Sequence, residues 1–134
     1  MVKKVAILAN GGDVSGFNAV IRAIVKTAEN NNIECYEFID GYRGLWGCDV
    51  QVEENGQVVY KDLSDVCVEN VKKDGFDCLF TLGGDGTQKS ARDFSLRGIN
   101  VIGVPKTIDN DVACTDITFG YNTAVSVAAD ALDR

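Results

Sequence analysis

Val5-Ala6-Ile7-Leu8-Ala9 is a continuous apolar run that stops at Asn10-Gly11-Gly12, the pattern of a buried strand ended by a turn. Phe17, Val20, Ile21, Ile24, Val25 and Ala28 then recur at steps of three and four, one helical stripe that Asn30-Asn31-Asn32 ends. Ile33 to Ile39 fits a second strand closed by Asp40-Gly41, and Gly41-Tyr42-Arg43-Gly44 reads as a turn. Asp49 to Glu53 and Gln57 to Lys61 flank Asn55-Gly56, a hairpin signal. Leu63, Val66, Cys67 and Val71 mark a second helix, and Cys78 to Leu82 another buried strand before Gly83-Gly84. A weaker helix is expected at 87–97, a strand from Asn100 to Val104, and a last helix on Ala124, Val127, Ala128, Ala131 and Leu132. Short apolar strands alternating with amphipathic helices predict an α/β fold, a mostly parallel sheet covered by helices on both faces.

The composition narrows what such a fold can do. Of 134 residues 46% are hydrophobic and 25% charged, a globular balance rather than a disordered one. No repeat, low-complexity tract or Pro/Ser linker divides residues 1–134, which read as one domain or part of one. A formal charge of −7 argues against nucleic acid as a partner. No apolar run approaches the roughly 20 residues needed to cross a bilayer, and Val5 to Ala9 is too short for a signal-peptide core. Five cysteines without a CxxC pair indicate neither a disulfide framework nor a zinc site, so a cytoplasmic protein with reduced thiols is expected. The absence of His removes Ser-His and Cys-His nucleophile systems. Chemistry must therefore run on carboxylates, Lys, Arg, backbone amides and an imported metal.

Three loops carry those groups, each at a strand's carboxyl end, where open α/β sheets bind ligands. Gly11-Gly12-Asp13-Val14-Ser15-Gly16 leads into the first helix, and its glycines would let a phosphate approach backbone N–H groups. It lacks both the GxGxxG pattern and the Walker GK[ST] ending. Gly83-Gly84-Asp85-Gly86-Thr87 exposes a carboxylate that makes sense beside phosphate only with a divalent cation such as Mg²⁺ between them. Pro105-Lys106-Thr107-Ile108-Asp109-Asn110-Asp111 offers an ammonium for phosphate and two carboxylates, one of which could deprotonate an attacking hydroxyl. The alternatives are a plain tight turn, a helix-capping Asp and an Asx-rich turn, respectively. Convergence of Asp13, Asp85, Asp109 and Asp111 would require intervening cations, which favours metal-assisted phosphoryl transfer.

These loops, with Gly41 to Gly44 and Phe119-Gly120-Tyr121-Asn122-Thr123-Ala124, resemble in order and over nearly the whole chain those of the phosphofructokinases. The resemblance implies two Rossmann-like domains, of which residues 1–134 form the nucleotide-binding one, and phosphorylation of the 1-hydroxyl of fructose 6-phosphate. It implies that Asp109 is the general base, with Asp111 and Thr107 beside the transferred phosphoryl group and the sugar. Asp85 becomes the Mg²⁺-associated carboxylate, and Lys106 a donor-phosphate contact. Gly11, Gly12, Gly84, Gly86 and Thr87 would surround the donor, Tyr42 would join the nucleotide pocket, and Arg22 is the nearest match to an effector-reading residue of some members.

Pyrophosphate users typically carry a second Asp after GGD; Gly86 here leaves room for a nucleotide and favours ATP. Ser15 and Ser90 stand where the family often has Pro and Gly. A glycine-rich segment with an arginine that usually follows the GYRG region is missing between Trp46 and Asp77. The family's subunit is also much longer, so the chain reads as a nucleotide-side fragment or abbreviated relative that exposes apolar surface and associates with itself or a partner. GGDGT also opens the site of NAD kinases and lipid kinases, which leaves Pro105 to Asp111 unexplained, and a catalytically incomplete nucleotide-binding fragment is the non-enzymatic alternative.

Overall fold

A computed structural model describes residues 1–12, 14–47, 51–54 and 57–134. Its main sheet holds β1 (Lys4–Ala9), β2 (Glu34–Glu37), β5 (Cys78–Gly83), β6 (Val101–Thr107) and β7 (Phe119–Gly120) in the order β2-β1-β5-β6-β7, every pairing parallel. The antiparallel pair β3 (Gln51–Glu54) and β4 (Gln57–Tyr60) forms a separate two-stranded sheet. That pairing fits the expected hairpin, whose Asn55-Gly56 turn lies outside the described residues. The helices are α1 (Phe17–Asn30), α2 (Tyr42–Trp46), α3 (Ser64–Lys73), α4 (Asp85–Leu96) and α5 (Tyr121–Leu132).

Strand alternation sorts the apolar side chains onto two faces. Ala6, Leu8 and Leu79 point into the larger core with Leu45 of α2, Cys67, Val68 and Val71 of α3, and Phe94 of α4. Val5 and Cys78 point the other way, to Ala28 of α1, with Cys35 and Phe80 partly buried beside them. Both faces are therefore helix-covered, as the alternation of elements predicts. The covering stops at β6: Ile102 is 49% exposed, and no residue of α5 is buried.

Four boundaries differ from the sequence reading. Gly41 to Gly44 is the start of a helix, not a turn: Gly41 and Gly47 take positive φ at its ends, and Tyr42, Leu45 and Trp46 pack on the larger core. Helix α4 begins at Asp85, two residues early, because Gly84 caps it and an acidic residue suits a helix's positive end. Strand β6 runs on through Pro105, Lys106 and Thr107, so these are strand and not loop. Pro105 is tolerated because β7 pairs with β6 only at Lys106 and Thr107, leaving no partner strand at its missing N–H. Strand β7, two residues long, has no periodic signal.

The chain's start is tied down by one carboxylate. Asp77 Oδ2 accepts hydrogen bonds from the backbone N–H groups of Lys3 (2.7 Å) and Lys4 (2.9 Å), which hold its carboxyl below the usual Asp range. A depressed folded value means the stabilisation is complete above the unfolded pKa of about 4 and is lost as pH falls through the folded value. Asp77→Asn is expected to flatten the acid limb of unfolding midpoint plotted against pH, with a constant deficit above neutral pH. Parallel curves across the acid range would contradict this.

Candidate functional site

Strand order reverses between β1 and β5: the chain moves from β1 outward to β2, then returns to lay β5 on β1's other side. The loops leaving β1 and β5 flank that crevice, and β6 and its loop adjoin it. Beside it, an open cleft of about 500 Å³ is lined by Asn10, Gly11, Gly12, Phe17, Glu37 and Asp40, among others.

Side-chain ties hold the loops in place. Asn10 Nδ2 donates to Thr87 Oγ1 (3.5 Å), joining the first loop to the second. Gln88 Nε2 donates to the carbonyls of Gly83 and Val104 (3.0 Å each), locking the start of α4 onto the ends of β5 and β6. A Cβ on Gly83 would collide with Thr87, so this strand-to-helix turn requires glycine. The Tyr42 hydroxyl donates to Thr87 O (3.5 Å) while its ring stacks on Trp46 at 6.1 Å, and burial pushes its pKa up. Tyr42 thus braces α2 against α4.

Lys106 is only 4% exposed. Its Nζ donates to the Gly12 carbonyl and sits 5.3 Å from the centre of the Phe17 ring, bringing the third loop's cation under the first loop. A Cβ built on Gly11 would lie 3.7 Å from Nζ, and one on Gly84 3.9 Å from Lys106 O and Thr107 Cβ. Gly11, Gly12, Gly84, Lys106 and Thr107 therefore lie close together. Helices α1, α4 and α5 open at Gly16, Gly84 and Gly120, none with a side-chain cap hydrogen bond among the described residues. Their first-turn N–H groups leave the same edge of the sheet, a positive field suited to an anion.

The carboxylates are placed less compactly. Asp85 Oδ2 is 2.6 Å from Lys89 Nζ, an exposed i,i+4 pair that raises the Lys89 pKa. Asp109 is exposed, its N–H donating to Thr107 Oγ1 (3.1 Å); Asp111 is exposed as well. Among the described residues no three His, Cys, Asp or Glu gather as a metal site, so the loops converge but the expected carboxylate cluster does not form. Asp13 lies outside the described residues. Gly86 borders open space: a Cβ there meets nothing within 4 Å. Asn10, Gln88, Asn110 and Thr118 are the structural ties that sequence patterning passed over.

The family described as Phosphofructokinase matches residues 4–66 and 57–134. The chain belongs to the phosphofructokinase family. It is 49% identical to ATP-dependent 6-phosphofructokinase 2 of Clostridium perfringens, over 99% of this chain and 45% of that protein. It is 37% identical to ATP-dependent 6-phosphofructokinase of Vibrio campbellii, over 100% of this chain and 48% of that one. The chain thus spans about half the length of the curated relatives it matches. Phosphofructokinase of Pichia pastoris in the T-state superposes with a TM-score of 0.80 at 22% identity, over 99% of this chain and 18% of that one. Pyrophosphate-dependent phosphofructokinase from Marinobacter aquaeolei gives 0.73 at 24%, over 98% and 42%. These two likenesses establish the phosphofructokinase fold. The Clostridium alignment extends over 167 positions against 134 residues here, so that relative carries residues inside the matched span with no counterpart in this chain. The two family matches overlap at 57–66, inside the Trp46–Asp77 interval.

Gly120 and Gly86 separate backbone need from open space. Gly120 has φ 109°, and a Cβ there would strike Val14. Gly120→Ala is expected to cost about 1–3 kcal/mol. Gly86→Ala, in the first turn of α4, should be neutral or stabilising by up to about 1 kcal/mol. Urea unfolding of both variants measures the contrast, and equal midpoints would refute it.

Proposed function

We propose that this chain is the donor side of a Mg-ATP-dependent 6-phosphofructokinase, an enzyme that moves the terminal phosphoryl group of ATP to the 1-hydroxyl of fructose 6-phosphate. The observation that carries the reading is the buried Lys106 ammonium under the Gly11-Gly12 turn, beside helix N-termini free of side-chain caps. Backbone N–H groups and a fixed cation together suit a polyphosphate, whose charge would otherwise be repelled by a chain of net charge −7. The names of the relatives support the same reaction.

In this reading Gly11, Gly12, Gly84, Gly86 and Thr87 approach the donor through main chain and hydroxyl, and Lys106 holds its phosphates. Asp85, half-exposed in the first turn of α4, is the carboxylate that would hold Mg²⁺. A single protein carboxylate fits this ion, which commonly uses one or two carboxylates with substrate phosphates rather than an all-protein cage. When bound, Mg²⁺ supplies neutralisation of the donor's phosphate charge. Asp109 accepts the proton of the sugar hydroxyl as the new O–P bond forms, Thr107 orients Asp109, and Asp111 faces the same acceptor. The open space at Gly86 supports ATP over pyrophosphate, because an Asp there would crowd and repel the donor's next phosphate.

The chain alone is proposed to bind the donor without sugar-kinase turnover, since it spans about half its relatives. Calorimetry on the 134-residue chain with Mg-ATP should give saturable binding that Lys106→Met weakens at least about tenfold, the equivalent of roughly 1.4 kcal/mol. A coupled assay with fructose 6-phosphate should show no turnover. No heat of binding, or robust turnover by the chain alone, would each refute its part of this proposal.

We also propose self-association in the cytoplasm. It is supported by exposed Ile102, Phe119, Val127 and Leu132 on the β6–β7 edge and α5, and by Cys35 and Cys78, whose thiols burial pushes up and so makes inert. Sedimentation at rising concentration should show dimers or larger species; a strict monomer at high concentration would overturn this.

A further inference from the structure

We infer that Asn110 and Thr118 form a clasp that positions Asp109, an inference that rests on the reading of Asp109 as the proton acceptor. After β6 the chain makes an excursion of ten residues, 108–117, and comes back through Thr118 to pair Lys106 with Phe119 and Thr107 with Gly120. Ile108, Asp109 and Asp111 on that excursion are exposed. An acidic loop of this length, left to itself, would sample many conformations. A general base must instead stand within hydrogen-bond reach of the proton it takes. An error of about 1 Å in such a position can cost a hundredfold in rate.

The loop's two ends are joined by a polar side chain that is almost wholly buried. Thr118 is 2% exposed, and its Oγ1 donates to the Thr107 carbonyl at 2.7 Å. Its backbone N–H donates to Asn110 Oδ1 at 2.9 Å. Asn110 takes φ 54°, a left-handed conformation that Asn tolerates better than most residues. Thr107, whose carbonyl is held by Thr118, also receives the Asp109 N–H on its Oγ1 at 3.1 Å. Asp109 is thus fixed from both sides: its own N–H is tied to Thr107, and the residue after it is tied to Thr118.

These contacts assign Asn110 and Thr118 as positioning residues. Neither needs to touch substrate; each acts through the placement of Asp109. The Asn110 amide oxygen does what a carboxylate could do as an acceptor but adds no negative charge between Asp109 and Asp111, where a third charge would repel an incoming phosphoryl group. The Thr118 hydroxyl satisfies a strand-end carbonyl that would otherwise be buried beside it without that donor.

The test reads the Asp109 side chain directly in the 134-residue chain, with no nucleotide present. Three-bond couplings in isotope-labelled protein should show one dominant Asp109 χ1 rotamer, and the Thr118 amide should be protected from hydrogen exchange. Thr118→Val removes the hydroxyl at nearly constant volume, and Asn110→Gly removes the acceptor while allowing the positive φ. Both are expected to average the Asp109 rotamers and to speed exchange at Thr118 at least tenfold, while Thr118→Ser restores the wild-type pattern. Should Thr118→Val fail to fold, Asn110→Gly on the loop surface decides the question. Unchanged Asp109 rotamers in a folded Asn110→Gly or Thr118→Val chain would overturn the inference, as would failure of Thr118→Ser to restore them. Since the readout uses no donor, its failure is separate from any failure of Mg-ATP to bind.

Discussion

Parallel pairing throughout the main sheet is the constraint from which the site follows. With β1, β5, β6 and β7 running in one direction, each chain segment leaving a strand does so at the same edge, and α1, α4 and α5 all begin there. Each helix start has N–H groups with no partner inside the helix. In many proteins a Ser, Thr, Asp or Asn side chain takes up part of that need. Here glycine occupies all three cap positions and offers no side chain to do so. The edge therefore presents main-chain donors without competing cap side chains, a positive field that follows from the topology before any particular residue is considered.

Lys106 converts that general field into a specific place. A buried ammonium is costly unless its charge is compensated. Its donation to the Gly12 carbonyl and the nearby Phe17 ring satisfy part of its demand, and they do so by drawing the first loop down onto β6. The same strand carries Thr107, from which the Asp109 loop hangs. One strand end thus sets the height of the Gly11-Gly12 turn and of the acidic loop together. A shift of β6 would move both, which is why Gln88, bonded to Gly83 and Val104, matters to a site it does not enter.

The strands and the long helices were readable from the residues because burial imposes period-two and period-3.6 patterns on stretches such as Val5 to Ala9 and Phe17 to Ala28. Short elements were not. Helix α2 has five residues, too few for a period, and its glycines look like a turn because they take turn conformations at its ends. The extension of β6 through Pro105 depends on which neighbouring strand is absent, a fact about topology that no local window contains. Candidate residues in glycine loops were visible as types, but their mutual distances were not: Asp85 pairs with Lys89 instead of joining Asp109 and Asp111. Ties such as Asn10 to Thr87, separated by 77 residues, have no signature along the chain at all.

The ties that hold the glycine loops do not depend on the Trp46–Asp77 interval. Among the described residues, these ties lie outside the Trp46–Asp77 interval or cross it without using it: Asn10 to Thr87, Gln88 to Val104, Lys106 to Gly12, and Tyr42 to Thr87. The other flank of the molecule tells the opposite story. Helix α5 has twelve residues, and helices of that length are marginal in water unless an apolar face is covered. Val125, Val127 and Leu132 are 50%, 63% and 87% exposed, and Ile102 lies bare on the neighbouring strand. The edge with the glycine loops is held by its own hydrogen bonds, whereas α5 calls for a covering surface to gain comparable order, so the two regions should respond independently when such a surface is supplied.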